Sequence, residues 1–148
     1  MFSFHLHKEG IIVKHSLDNG DADTMIVQLA LEKAKESDVV VHSTDTDIFI
    51  ALIYHYDISD KSIKMTTNKG LCEIKNLVVV LDEDLRRCLL IAHAMSGCDQ
   101  VSATFGMGKL RVFNKLKESF YWRDKLQRML HDGTSIEEVV QLGEDFFI

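Results

Sequence analysis

Val39-Val40-Val41-His42-Ser43-Thr44-Asp45-Thr46-Asp47 decides the fold. Continuous β-branched residues closing on a polar turn read as a buried parallel strand, Val39 to Ser43, because a strand covered on both faces is apolar throughout and does not alternate. The apolar run Ile48 to Tyr54 behind it reads as a buried helix, although seven apolar residues also fit a strand. Upstream, Ala22, Met25, Ile26, Leu29 and Ala30 fall in the rhythm of one buried helix face. Before that helix, Gly10 to Lys14 reads as a strand and Leu17 to Gly20 as its turn. Downstream, Ser62 to Ile74 reads as a hairpin-like edge turning at Asn68-Lys69-Gly70. Leu85 to Met95 reads as a helix with Leu85, Cys88, Leu89, Ala92 and Met95 on one face and Asp82, Glu83 and Asp84 at its N-terminus, where the macrodipole favours acids. Helices near Lys109 to Lys117 and Tyr121 to Leu130, and a short one from Thr134-Ser135-Ile136-Glu137, complete an α/β layer with a helical C-terminal part.

The chain has 148 residues, 46% of them hydrophobic. A chain of that size buries about 68 to 70% of its extended surface, enough for a core without disulfide or metal staples. Asp and Glu outnumber Lys and Arg by 23 to 17, and the net charge of −6 excludes a domain that coats DNA through uniform positive charge. Three cysteines, Cys72, Cys88 and Cys98, without C-x-x-C spacing read as reduced thiols in an intracellular compartment. Met1 to Lys8 lacks the pattern of a signal peptide, and Ile48 to Tyr54, the longest apolar run, is far too short to span a membrane. There is no proline at all, and we have no physical account of that.

Aspartates recur where a parallel sheet would present them. Asp45 and Asp47 lie just past the carboxyl end of the Val39 strand, the edge at which open α/β sheets build their sites. Asp21 and Asp23 open the neighbouring helix, and Asp99 follows a helix and Gly97. Singly, Asp21 and Asp45 read as helix N-caps and Asp99 as a turn residue. Jointly, five carboxylates at one edge would raise one another's pKa, a conflict that a divalent cation removes. Oxygen ligands without His or Cys at matching spacing select Mg²⁺ or Mn²⁺, and two such ions about 3.5 to 4 Å apart are a common device for phosphodiester hydrolysis.

Gly106-Met107-Gly108-Lys109 is not a P-loop, since G-x-x-x-x-G-K-(S/T) needs Gly at Ala103 and Ser or Thr at Leu110. A glycine turn before a helix nonetheless offers backbone N–H groups to phosphate. From Lys109 to Arg128 the net charge is +5, leaving −11 on the other residues. That run reads either as a solvated helix face or as a phosphate contact. Phe120, Tyr121 and Trp122 inside it read as inter-helix packing ahead of base stacking, and His93 and Cys98 as packing. His5 and His7 read as part of an unstructured start before metal ligands.

The order D-A-D-T (Asp21 to Thr24), S-T-D-T-D (Ser43 to Asp47), H-A-M-S-G-C-D-Q-V-S (His93 to Ser102) and F-G-M-G-K (Phe105 to Lys109) resembles the PIN-like nucleases, a class that includes flap and structure-specific endonucleases. It is closer still to the transposon-associated PIN-like proteins of animal genomes, which carry E-E-A-D-T-R, S-P-D-T-D and H-A-x-T-G-C-D-x-x-S. The match runs from about Gly20 to Lys109, about three-fifths of the chain. The resemblance implies a three-layer α/β/α fold with a central, mostly parallel sheet over residues 1–104, and a helical part over 105–148. It implies that Asp21, Asp23, Asp45, Asp47 and Asp99 hold two Mg²⁺ or Mn²⁺ ions and are the catalytic residues. It also implies that Gly106, Gly108, Lys109, Arg111 and Lys115 meet DNA or structured nucleic acid through a glycine turn that grips duplex backbone with a monovalent cation. With a DNA partner, the nucleus is expected ahead of the cytoplasm. Three departures stand out: Asp21 for Glu, Met25 for Arg and Thr44 for Pro. The family's first strand, with its buried Asp, should also precede Asp21, and only twenty residues stand there, so either a truncated chain or a lost ligand is expected.

The resemblance implies a metal-dependent nuclease, and the absent first acid leaves open a remnant that binds nucleic acid or a partner without cleaving. A third class, a phosphotransferase of haloacid dehalogenase type with Asp45 as nucleophile, fits less well. Phe49 stands where Thr or Val is expected, and no later Asp pair beside a Lys is evident.

Overall fold

A computed structural model describes residues 11–13, 21–97 and 106–148. In chain order the elements are α1 (Ala22–Ala34), β1 (Val39–Val41), α2 (Thr46–His55), β2 (Ile63–Thr67), β3 (Gly70–Glu73), α3 (Ile74–Val80), α4 (Glu83–Arg87), α5 (Leu89–Met95), α6 (Lys109–Glu118), α7 (Phe120–Arg128) and α8 (Ile136–Phe147). The class is mixed α/β. β1 pairs parallel with β2, Val41 opposite Met65, and β2 pairs antiparallel with β3, Met65 opposite Cys72. The described sheet is therefore three-stranded and mixed, where a mostly parallel one was expected. Val41, Ile63 and Met65 are buried against α1, α2 and α3, while Val40, Lys64 and Leu71 on the other face are exposed. Among the described residues, β1 is therefore covered on one face only, and no second helical layer covers the sheet. Ile11 to Val13, the described part of the expected first strand, carry no strand.

Hydrophobic pairing sets each helix's rotation, sometimes against the apparent rhythm. In α1 the buried residues are Val27, Ala30 and Ala34, whereas Ala22 and Ile26 are exposed. The buried stripe is thus turned from the expected one, and the small Ala30 and Ala34 let α1 sit close to its neighbours. In α3 three successive valines favour a strand by propensity, yet Ile74 and Val78, four residues apart, are buried and hold it as a helix. The expected Leu85 to Met95 helix is broken at Cys88 (φ −82°, ψ −8°), whose buried thiol donates to the Arg123 carbonyl at 3.6 Å.

The C-terminal helices share a core with α4 and α5: Leu85, Cys88, Ile91 and Ala92 pack with Val112, Leu116, Leu126 and Phe146. Leu81 and Phe113 lie against both this cluster and the one under the sheet. No helix among the described residues is long and apolar enough to cross a membrane.

Candidate functional site

Each D-x-D sequence starts a helix in the same way. Asp21, extended at φ −64° and ψ 128°, caps α1 by accepting from the Asp23 N–H and the Thr24 hydroxyl, both at 3.3 Å. Asp45, at φ −70° and ψ 130°, caps α2 by accepting from the Asp47 N–H at 2.8 Å, and its own N–H donates to the Ser43 hydroxyl at 3.1 Å. The cap readings of Asp21 and Asp45 therefore hold. Each cap also fixes a second acid, Asp23 or Asp47, in the first turn, where the helix dipole favours negative charge.

Because α1 and α2 pack together, the caps deliver acids to one place. Asp21, Asp23 and Asp47 line a groove of about 530 Å³ between the two helices, together with Val27, Leu31, Ile48, Ala51 and His55. Asp45 is not among its lining. It faces an adjoining polar pocket of about 430 Å³, formed by Ser43 to Asp47 and Lys109, so Asp47 borders both spaces.

A group that periodicity assigned to packing belongs to this site. His93, on α5, places Nε2 2.7 Å from Asp47 Oδ1, with the imidazole 11% exposed and the carboxylate 35%. The signal was available in the H-A-M-S-G-C-D stretch, but nothing local in it points to Asp47, 46 residues away. The bond fixes one oxygen of Asp47, and a carboxylate retains further acceptor sites.

The oxygen donor set suits Mg²⁺ or Mn²⁺ by chemistry. Three of the five expected ligands share the groove and Asp45 stands in the adjoining pocket, while Asp99, like Cys98, His5, His7 and the Leu17 to Gly20 turn, lies outside the described residues. Among the described residues no three His, Cys, Asp or Glu side chains gather closely enough to hold a metal ion.

The expected nucleic-acid residues divide. Gly106 adopts φ +79°, a left-handed conformation that glycine reaches without strain, and Gly108 occupies the cap position of α6. Lys109 is exposed and lines the acid pocket. Arg111 is exposed but turned back on the loop, donating to the Gly106 carbonyl at 2.6 Å. Lys115 serves the fold: its ammonium donates to the Phe146 carbonyl and stands 4.8 Å from the Trp122 ring centre and 4.7 Å from that of Phe146. Arg123, counted in the basic run, is 4% exposed. The packing expectation for the aromatic trio holds for Trp122, which meets Phe146 edge to face at 5.3 Å, and fails for Phe120 and Tyr121, which are exposed. No protein-family model, curated protein or solved structure matches the chain.

Proposed function

We propose that the chain is a PIN-like nuclease domain that hydrolyses phosphodiester bonds of DNA or structured nucleic acid with Mg²⁺ or Mn²⁺. The observation that carries this reading is the meeting of Asp21, Asp23 and Asp47, from two separate helix starts, in one groove, with Asp47 also facing Lys109 across the next pocket. Asp21, Asp23 and Asp47 border the groove in which an ion would sit, and because they do not gather closely enough to hold it as they stand, their side chains would have to draw together on it. Bound there, the ion would act as a Lewis acid and ease ionisation of water.

The chain's own groups then have distinct tasks. Asp45 sets the turn that carries Asp47, and His93 fixes Asp47 Oδ1 so that the rest of the carboxylate stays directed at the groove. Lys109 supplies a cation to a phosphate lying against the Ser43 to Asp47 loop, and the Gly106 to Gly108 turn lets backbone approach it without side-chain bulk. The test is cleavage of flap, nicked and single-stranded substrates in Mn²⁺ by the wild type and Asp47→Asn. Cleavage by the wild type alone is expected; equal cleavage by both, or none by either, refutes the reading.

A second reading, a non-cleaving binding module, is favoured by one observation: Asp21 and Asp45 are already engaged as caps. Calorimetry separates the two, because a hydrolytic site binds Mn²⁺ and loses that binding in Asp47→Asn, whereas a module built only on caps takes up none.

A further inference from the structure

We infer that the first turn of α7 is a stacking platform for single-stranded nucleic acid, on which Phe120 and Tyr121 each take a base while nearby lysines meet the phosphates. This goes beyond hydrolysis, since it concerns binding and holds with or without cleavage. Phe120 is 72% exposed and Tyr121 61%, two adjacent large rings left in water. Both are held in place. The Arg123 guanidinium stands 4.6 Å from the Phe120 ring centre and is itself fixed by Asp82 and two backbone carbonyls. Tyr121 meets Trp122 edge to face at 5.1 Å and has the Lys125 ammonium 5.5 Å from its ring centre. A ring backed by a fixed cation or a second ring loses little freedom when a base stacks on it.

The charge around the rings selects the partner. Lys125 stands at the Tyr121 ring and Lys117 lies three residues before Phe120, while Arg128 and Asp124 pair with each other at 3.3 Å and Glu118 is the remaining acid nearby in sequence. Aromatic faces among cations match bases on a phosphate backbone, the arrangement by which single strands are held without sequence preference. Consecutive helix positions lie about 100° apart around the axis, so the rings address two directions. A splayed strand can place a base on each, whereas a duplex keeps its base faces stacked. The platform is one length of α6, about 15 Å, from Lys109, so a strand lying along α6 reaches the acid pocket.

The experiment is fluorescence anisotropy of a labelled oligothymidylate of about 16 nucleotides, titrated with the full chain without divalent ion, so that binding and cleavage are read separately. Binding is expected to weaken about tenfold or more in the Phe120→Ala, Tyr121→Ala double variant. It should persist in Phe120→Trp, Tyr121→Trp and fall with salt at a slope of about −0.7 per phosphate met. Thermal melts check that the variants, altered at exposed positions, remain folded. Absence of binding by the wild type, which would leave the rings to a protein partner, overturns the proposal. So does equal binding by the alanine variant, or tighter binding of a duplex that ignores both substitutions.

Discussion

Replacing Arg123 with Met tests whether a basic residue in a charged run is a phosphate contact or a strut. The guanidinium is buried, its Nε donating to the Leu116 carbonyl at 2.6 Å, Nη2 to the Lys117 carbonyl at 2.7 Å, and Nη1 to both oxygens of Asp82 at 2.9 Å. Leu116 and Lys117 lie in the last turn of α6, where carbonyls lack full intrahelical partners, and Asp82 is the N-cap of α4, accepting from the Leu85 N–H at 2.8 Å. One side chain thus ties the C-terminal helices to the α/β layer. Met keeps most of the stem volume and removes every donor. Each carbonyl loses a bond to a charged donor worth about 1.5 to 3 kcal/mol. The pair with Asp82, whose side chain is 55% exposed, adds at most about 1 kcal/mol. Arg123→Met is therefore expected to cost about 3 to 7 kcal/mol. At this chain length that lowers the melting temperature by about 6 to 28 °C. Circular-dichroism melts with urea titrations give both numbers, and Arg123→Lys, which keeps one ammonium, should fall between. A Met variant within about 1 kcal/mol of the wild type that instead binds DNA more weakly would refute the strut and restore the phosphate contact.

Two further expectations follow from named groups. Asp21→Ala should cost about 1 kcal/mol by loss of the α1 cap and Asp21→Asn only a few tenths, while on the hydrolytic reading both abolish cleavage; denaturant titration beside the nuclease assay reads the two effects apart. Stability should also fall at alkaline pH. Burial, then the nearby Asp60 and Glu73 carboxylates, push the Tyr56 phenol above its ordinary 10.0, and burial pushes the Cys88 thiol above 9.0. Both folded-state values are raised, so this contribution is whole below about pH 9 and is lost as pH climbs past these values, where only the unfolded chain ionises freely. Tyr56→Phe should flatten the upper part of that loss in melts taken from pH 8 to 11, and an unchanged profile would contradict the assignment to Tyr56.

What was legible in the sequence was local, and what was missed was decided by distant partners. The starts of α1 and α2 and the turn at Gly70 are written in a few neighbouring residues, because caps and turns close bonds over two to four positions. Stripe rotation in α1, the valine-rich α3, the break at Cys88 and the burial of Arg123 depend on what packs from elsewhere, as does the bond between His93 and Asp47. The site shows the division most sharply. An aspartate after a strand is selected equally by helix capping and by metal binding, so D-x-D alone cannot tell them apart. The structure shows both caps formed and three acids lining one groove, with Asp21 alone in both roles. The bonds from the Asp23 N–H and the Thr24 hydroxyl occupy two of about four acceptor sites on the Asp21 carboxylate, so capping and ligation are compatible there. That is why Asn, which caps like Asp but carries no charge, is the substitution that isolates the chemistry from the fold.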